Sequence, residues 1–152
     1  TLIDVANAPA YIENARLLNL RLQELEEEFR SRLSKCERKD FVASHSAFKY
    51  LAEAYGLTEI AIAGLTPDAE PSLSEIAKIS DLVKQNRVKY VFFESLSSPE
   101  LAEVIAKETG AEVLPLNPIE GLTIEEEKRG EDYFSIMRKN LSNLELALQC
   151  NT

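Results

Sequence analysis

The chain is poor in several things, and each shortage narrows what it can be. Two cysteines in 152 residues are too few for a disulfide scaffold. Cys36 and Cys150 are either two free thiols or one bridge closing a long loop, a choice that depends on geometry. Five glycines and six prolines exclude a linker-rich or collagen-like chain. Basic residues number 17 against 26 acidic ones, a formal net charge of −9, which disfavours a general nucleic-acid binder. No apolar run approaches the roughly 18 residues of a membrane span. The first residues, Thr1-Leu2-Ile3-Asp4, carry no basic or apolar leader pattern, which says nothing of a leader if the chain is part of a longer one. What is present is a 45% hydrophobic composition, enough for a folded acidic domain with a real core.

Apolar residues at Tyr11, Ala15, Leu18, Leu22, Leu25, Phe29 and Leu33 recur at steps of four and three, which predicts one long amphipathic helix over about 8–35. Asn7 is its expected N-cap, with Pro9 in the first turn. Glu26 before Arg30 and Glu28 before Arg32 are expected i, i+4 pairs in the favourable order. Such a helix is about 40 Å long, enough to span a domain whose radius of gyration is about 15 Å. It reads as a spine.

Four short β-rich runs follow, Phe41-Val42-Ala43, Ile60-Ala61-Ile62, Tyr90-Val91-Phe92-Phe93 and Val113-Leu114-Pro115-Leu116. Each is succeeded by a helical pattern. Phe48, Leu51, Ala52 and Tyr55 mark a helix closed by Gly56, and Ser72 with Glu75 forms a capping box behind Pro71. A third helix begins at Ser98-Pro99, carries Leu101, Val104 and Ile105, and stops at Gly110. A last one, from about Asp132 to Leu148, carries Tyr133, Ile136, Met137, Leu141, Leu144 and Leu148 on its apolar face. Glu125-Glu126-Glu127-Lys128-Arg129 reads as a solvated loop or helix start. The alternation predicts an α/β fold, a four-stranded parallel sheet flanked by helices and preceded by the long helix.

Ligands of open α/β sheets bind at the carboxyl ends of the strands. The four ends are Ser44-His45, Gly64-Leu65-Thr66, Glu94 and Asn117-Pro118-Ile119-Glu120. The chain's one histidine therefore falls on that rim. The ordinary role of such a residue is capping or hydrogen bonding, but Glu120 shares the rim, and imidazole with carboxylate suits zinc or another first-row divalent ion. Glu94 fits better as a group that orients His45 than as a direct ligand. Asp68 and Glu70, between Pro67 and Pro71, read as a solvated turn.

Other templates fit poorly. Neither the P-loop nor the G-x-G-x-x-G fingerprint occurs. Ser44 and Ser46 lack the G-x-S-x-G elbow, and neither cysteine lies on the rim to make a Cys-His nucleophile. A receiver-like domain wants an acidic pair after the first strand and an Asp after the third, where this chain has His45 and Glu94. A stand-alone interaction module or small hydrolase stays open, with His45 as general base and Glu94 or Glu120 as its partner.

The run Phe41 to Leu51, containing Ser44-His45-Ser46-Ala47-Phe48, followed by Tyr55-Gly56-Leu57, resembles the zinc- and manganese-binding solute receptors of bacterial ABC transporters. Gly64 to Ser72, Val88 to Glu94, Thr109-Gly110-Ala111, Leu116 to Leu122 and Asp132 to Leu141 match further motifs of that family in order. Asp4-Val5-Ala6-Asn7-Ala8 resembles the start of its linker, with Val5 where the family has proline. The resemblance covers nearly the whole chain. It implies a long inter-lobe helix over 1–38 and a C-terminal α/β lobe over 39–152, the N-terminal lobe being absent. It also implies a non-enzymatic receptor outside the cytoplasmic membrane, free in the periplasm or lipid-anchored, that delivers its ion to an ABC permease. Family receptors hold one ion between lobes with two side chains from each, which here correspond to His45 and Glu120. Imidazole at position 45, where manganese receptors often carry Glu, tilts the choice to zinc, with manganese as the alternative. The isolated lobe is expected to bind zinc weakly, and its uncovered spine to favour non-native dimers.

Overall fold

The computed structural model describes residues 3–63, 72–96 and 98–151. A 26-residue helix, α1 (Ala8–Leu33), opens the chain. It is followed by β1 (Asp40–Ala43), α2 (Lys49–Ala54), β2 (Thr58–Ala61), α3 (Leu73–Gln85), β3 (Tyr90–Phe93) and α4 (Glu100–Thr109). β4 (Glu112–Pro115), α5 (Ile124–Lys128) and α6 (Tyr133–Leu148) complete it. All strand pairs are parallel, in the order β2-β1-β3-β4, so the α/β architecture with a leading long helix is as expected. Three strands moved: β1, β2 and β4 each start earlier than their apolar runs, β1 and β4 by one residue and β2 by two. Pairing sets the limits, since Asp40 to Ala43 lie opposite Thr58 to Ala61, and Tyr90 to Phe93 opposite Glu112 to Pro115.

Side chains alternate across a strand, and here each face meets its own helices. Phe41, Ala43 and Phe92 pack with Phe29 and Leu33 of α1, Ala52 of α2 and Leu141, Leu144 and Leu148 of α6. Val42 and Val91 face the other way, onto Val83 of α3 and Ala102 and Ile105 of α4. Covering both faces is what a parallel sheet requires. The crossovers use the predicted local chemistry. Ser72 and Glu75 form a full capping box, and Gly110 ends α4 with φ +78°, a left-handed cap that glycine adopts without Cβ strain.

Three expectations need correction, and a fourth held only in part. The stripe of α1 is buried only at Leu25, Phe29 and Leu33; Tyr11, Ala15, Leu18 and Leu22 are exposed, because α6 covers only the last turns of the longer helix. Asn7 is the N-cap by position, but its side chain makes no cap; its amide donates to Asp4, as does the Tyr11 hydroxyl. Glu26 and Arg30 pair as expected, whereas Arg32 reaches across to Glu145 and Glu28 accepts from Arg138, both on α6. The Arg138 guanidinium holds the Glu28 carboxyl below the usual range. Finally, Glu125 to Lys128 do start a short helix, the second of the two readings, capped by Thr123 and Glu126, but Glu126 is buried and not solvated.

The two cysteines form a bridge. It joins the segment after α1 to the segment after α6, beside a short antiparallel pairing in which Glu37 and Arg38 donate to the carbonyls of Gln149 and Leu148. Among the described residues no helix is long and apolar enough to cross a membrane.

Candidate metal centre

The strand order reverses between β1 and β3: the chain runs outward from β1 to β2, then returns to the far side of β1. Crevices form at such a switch point, outside the carboxyl ends of the strands. Ala43 lies opposite Phe92, and the Ser44 N–H still donates to the Phe92 carbonyl at 3.0 Å. Continuing that register by two residues sets His45 across from Glu94.

Both side chains are buried, His45 at 4% and Glu94 at 3% exposure. Nδ1 of His45 and Oε1 of Glu94 are in direct contact, and neither atom makes a hydrogen bond among the described residues. Burial pushes the Glu94 carboxyl up to about 7, and the charges of Glu120 and Glu59 push in the same direction. A carboxyl group set against one imidazole nitrogen is placed to take that nitrogen's proton as a hydrogen bond, which would orient the ring and leave the other nitrogen's lone pair for a ligand.

The turn that carries His45 is held from below by a residue that the sequence reading passed over. Glu59 of β2 accepts the backbone N–H groups of Ala47 (3.1 Å) and Phe48 (2.9 Å) on one oxygen and the Ser46 hydroxyl (3.3 Å) on the other. A lone acidic residue inside a four-residue strand gives no periodic signal, so only the fold reveals its partners. Glu59→Ala is expected to lower stability by about 1–3 kcal/mol, the cost of stranding part-buried donors. A urea midpoint equal to that of the unsubstituted protein would contradict this role.

Glu120 follows β4, the neighbour of β3, and its side chain is exposed. Its loop is built tightly. Asn140, buried in α6, accepts the Asn117 N–H at 2.9 Å through Oδ1 and donates to the Asn117 carbonyl at 2.7 Å through Nδ2. The Asn117 Oδ1 in turn accepts the Ile119 N–H at 2.7 Å. Ile119 has φ +64°, a left-handed conformation that costs a β-branched residue on the order of 1–3 kcal/mol. Asn140 was also missed, although a signal exists: it stands four residues after Ile136 and four before Leu144, inside the apolar stripe.

The structure thus brings His45 and Glu94 together and sets Glu120 on the same rim, where Glu94 feels its charge. Among the described residues no group of three or more His, Cys, Asp or Glu side chains is placed to hold a metal ion. The rim after β2, Gly64-Leu65-Thr66 with Asp68 and Glu70, lies outside the described residues, as does Pro71.

A model of the family described as ZnuA, the periplasmic component A of a zinc-uptake complex, matches residues 1–147. The chain belongs to the ZnuA family. Among its relatives, the zinc-binding protein AdcA of Streptococcus pyogenes is 47% identical over 141 residues, 93% of this chain and 26% of that protein. The high-affinity zinc uptake system protein ZnuA of Bacillus subtilis is 40% identical over 145 residues, 95% of this chain and 46% of that protein. The Zn(II)-bound ZnuA-like domain of Streptococcus pneumoniae AdcA superposes with a TM-score of 0.80 at 41% identity, covering 94% of this chain and 54% of that one. The chain therefore spans about half the length, or less, of the ZnuA-family proteins it matches.

Proposed function

We propose that this chain is the carboxyl-terminal half of an extracytoplasmic zinc receptor that delivers its ion to an ABC permease. In this reading His45 and Glu120 each give one bond to zinc and Glu94 orients His45. The observation that carries it is the buried His45–Glu94 pair at the switch point of the sheet, within a chain that matches a zinc-uptake family over 147 residues. Nitrogen favours zinc over manganese, which prefers oxygen donors. The protein binds and releases its ion without chemical conversion, so no residue is catalytic.

Zinc sites of high affinity take four donors in a tetrahedron, of which this half supplies two. The others come from a second half that faces the same rim. Residues 1–38 then form the helix joining the halves, and residues 39–152 the lobe. The exposed Tyr11, Leu18 and Leu22 support this division, because they extend the buried stripe of α1 past the part that α6 covers. The bridge between Cys36 and Cys150 suits an oxidising compartment outside the cytoplasm.

The test is zinc titration against a competing chelator, on the full-length gene product and on this chain alone. The full-length protein is expected to hold one zinc at least about 100-fold more tightly, since loss of an orienting partner alone costs about 10–100-fold and this half lacks two direct donors. Tight one-to-one binding by this chain alone would overturn the division into halves. Light scattering on the same samples is expected to show concentration-dependent dimers only for the isolated chain, through its uncovered α1.

A further inference from the structure

The segment Asp132 to Leu141 is among those that carry the family resemblance, yet no ligand comes from it. One side chain there does something unusual. Asn140 is 3% exposed on the otherwise apolar inner stripe of α6, where an amide is tolerated only if its hydrogen bonds are made. Its Oδ1 and Nδ2 both reach one residue, gripping the N–H and the carbonyl of Asn117, with a weaker contact from Nδ2 to Met137 Sδ at 3.8 Å. Asn117 passes the constraint on, since its own Oδ1 holds the Ile119 N–H. Ile119 is thereby kept at φ +64°, a state that a β-branched residue leaves unless its surroundings over-determine it. The next residue is Glu120.

We infer that Asn140 is the positioning residue for Glu120: through Asn117 it locks the left-handed turn at Ile119 that sets the direction of the Glu120 carboxylate. The inference rests on the reading of Glu120 as a zinc ligand. Without the grip, residue 119 relaxes to negative φ and the following side chain swings away. A ligand must be held within about 0.5 Å of its working position, so affinity falls although Glu120 is still present. Asn140 also ties that loop to α1, because α6 is bound to it by Arg32 with Glu145 and by Glu28 with Arg138.

The experiment is a four-protein cycle on the full-length gene product: unsubstituted, N140A, E120Q and N140A/E120Q. Zinc affinity is read by chelator competition, folding by urea denaturation, and site geometry by the visible absorption of Co(II) in place of zinc. N140A is expected to weaken zinc about 10–100-fold, as loss of an orienting partner does, and to shift the Co(II) bands. In the E120Q background the same change is expected to cost less than about twofold, because the carboxylate it served is gone. N140S, which keeps a polar group in the cavity, replaces N140A if the alanine protein does not fold. Equal losses in both backgrounds would overturn the inference, as would an unchanged affinity in N140A while E120Q is weakened. An unchanged affinity in E120Q would instead remove the reading of Glu120 as a ligand, and the inference with it.

Discussion

Replacing Cys36 and Cys150 together by serine is expected to lower stability by about 3 kcal/mol, a typical value for a native bridge, and the thermal midpoint by about 6–12 °C for a chain of this size. The bridge closes a loop across a sequence separation of 114 residues, for which the chain-entropy account gives an upper figure of about 5 kcal/mol. The loss falls mainly on the unfolded state. In the folded state the bonds from Glu37, Arg38 and Asn151 to Gln149, Leu148 and Lys35 still hold the two segments together. Calorimetry of the double variant, and of the unsubstituted protein with and without reductant, checks this. A shift of less than about 2 °C would mean that the unfolded chain gains no freedom when the bridge is removed. A reduced protein should also show a steeper dependence on denaturant, because its unfolded ensemble expands.

His45→Ala in the full-length gene product is expected to weaken zinc by more than about 100-fold. Loss of an orienting partner alone costs about 10–100-fold, and here a direct donor is removed. Glu94→Gln, which keeps the shape but not the charge beside Nδ1, is expected to fall within that lower range. The two variants separate the roles proposed for these residues. His45→Ala removes the donor atom, whereas Glu94→Gln leaves it in place with its orientation and basicity altered. Neither should unfold the lobe. In His45→Ala the stranded Glu94 carboxyl, pushed up to about 7 by burial, can take a proton near neutral pH rather than remain a buried charge. Isothermal titration with zinc decides the matter. Full affinity in His45→Ala would remove His45 from the site, and full affinity in Glu94→Gln would remove the orienting role.

Much of the architecture is legible in local sequence. Helical spacing marked α1 and α6, the capping box at Ser72 and Glu75 marked the start of α3, and Gly110 marked the end of α4. These signals are local. The partners of α1 were not local, and the reading of Glu28 with Arg32 failed for that reason. Residues four apart on a helix are always near, but Arg138 and Glu145 on α6 offer the same charges from a packed neighbour. The fate of the apolar stripe on α1 was likewise hidden, because periodicity states which face is apolar and not how much of it another element covers.

The sequence by itself determined the alternation of strands and helices, the family, and the placement of His45, Glu94 and Glu120 just beyond strand ends. These follow from short-range patterns in which each residue type answers to its neighbours. Tertiary structure alone decided that β1 lies beside β3, which turns two strand ends 49 residues apart, by the numbers of His45 and Glu94, into one buried pair. It also decided that Cys36 meets Cys150 and that Asn140 grips Asn117. Such contacts depend on how the helices and the sheet pack against one another, since closing a long loop costs an entropy that only the assembled core repays.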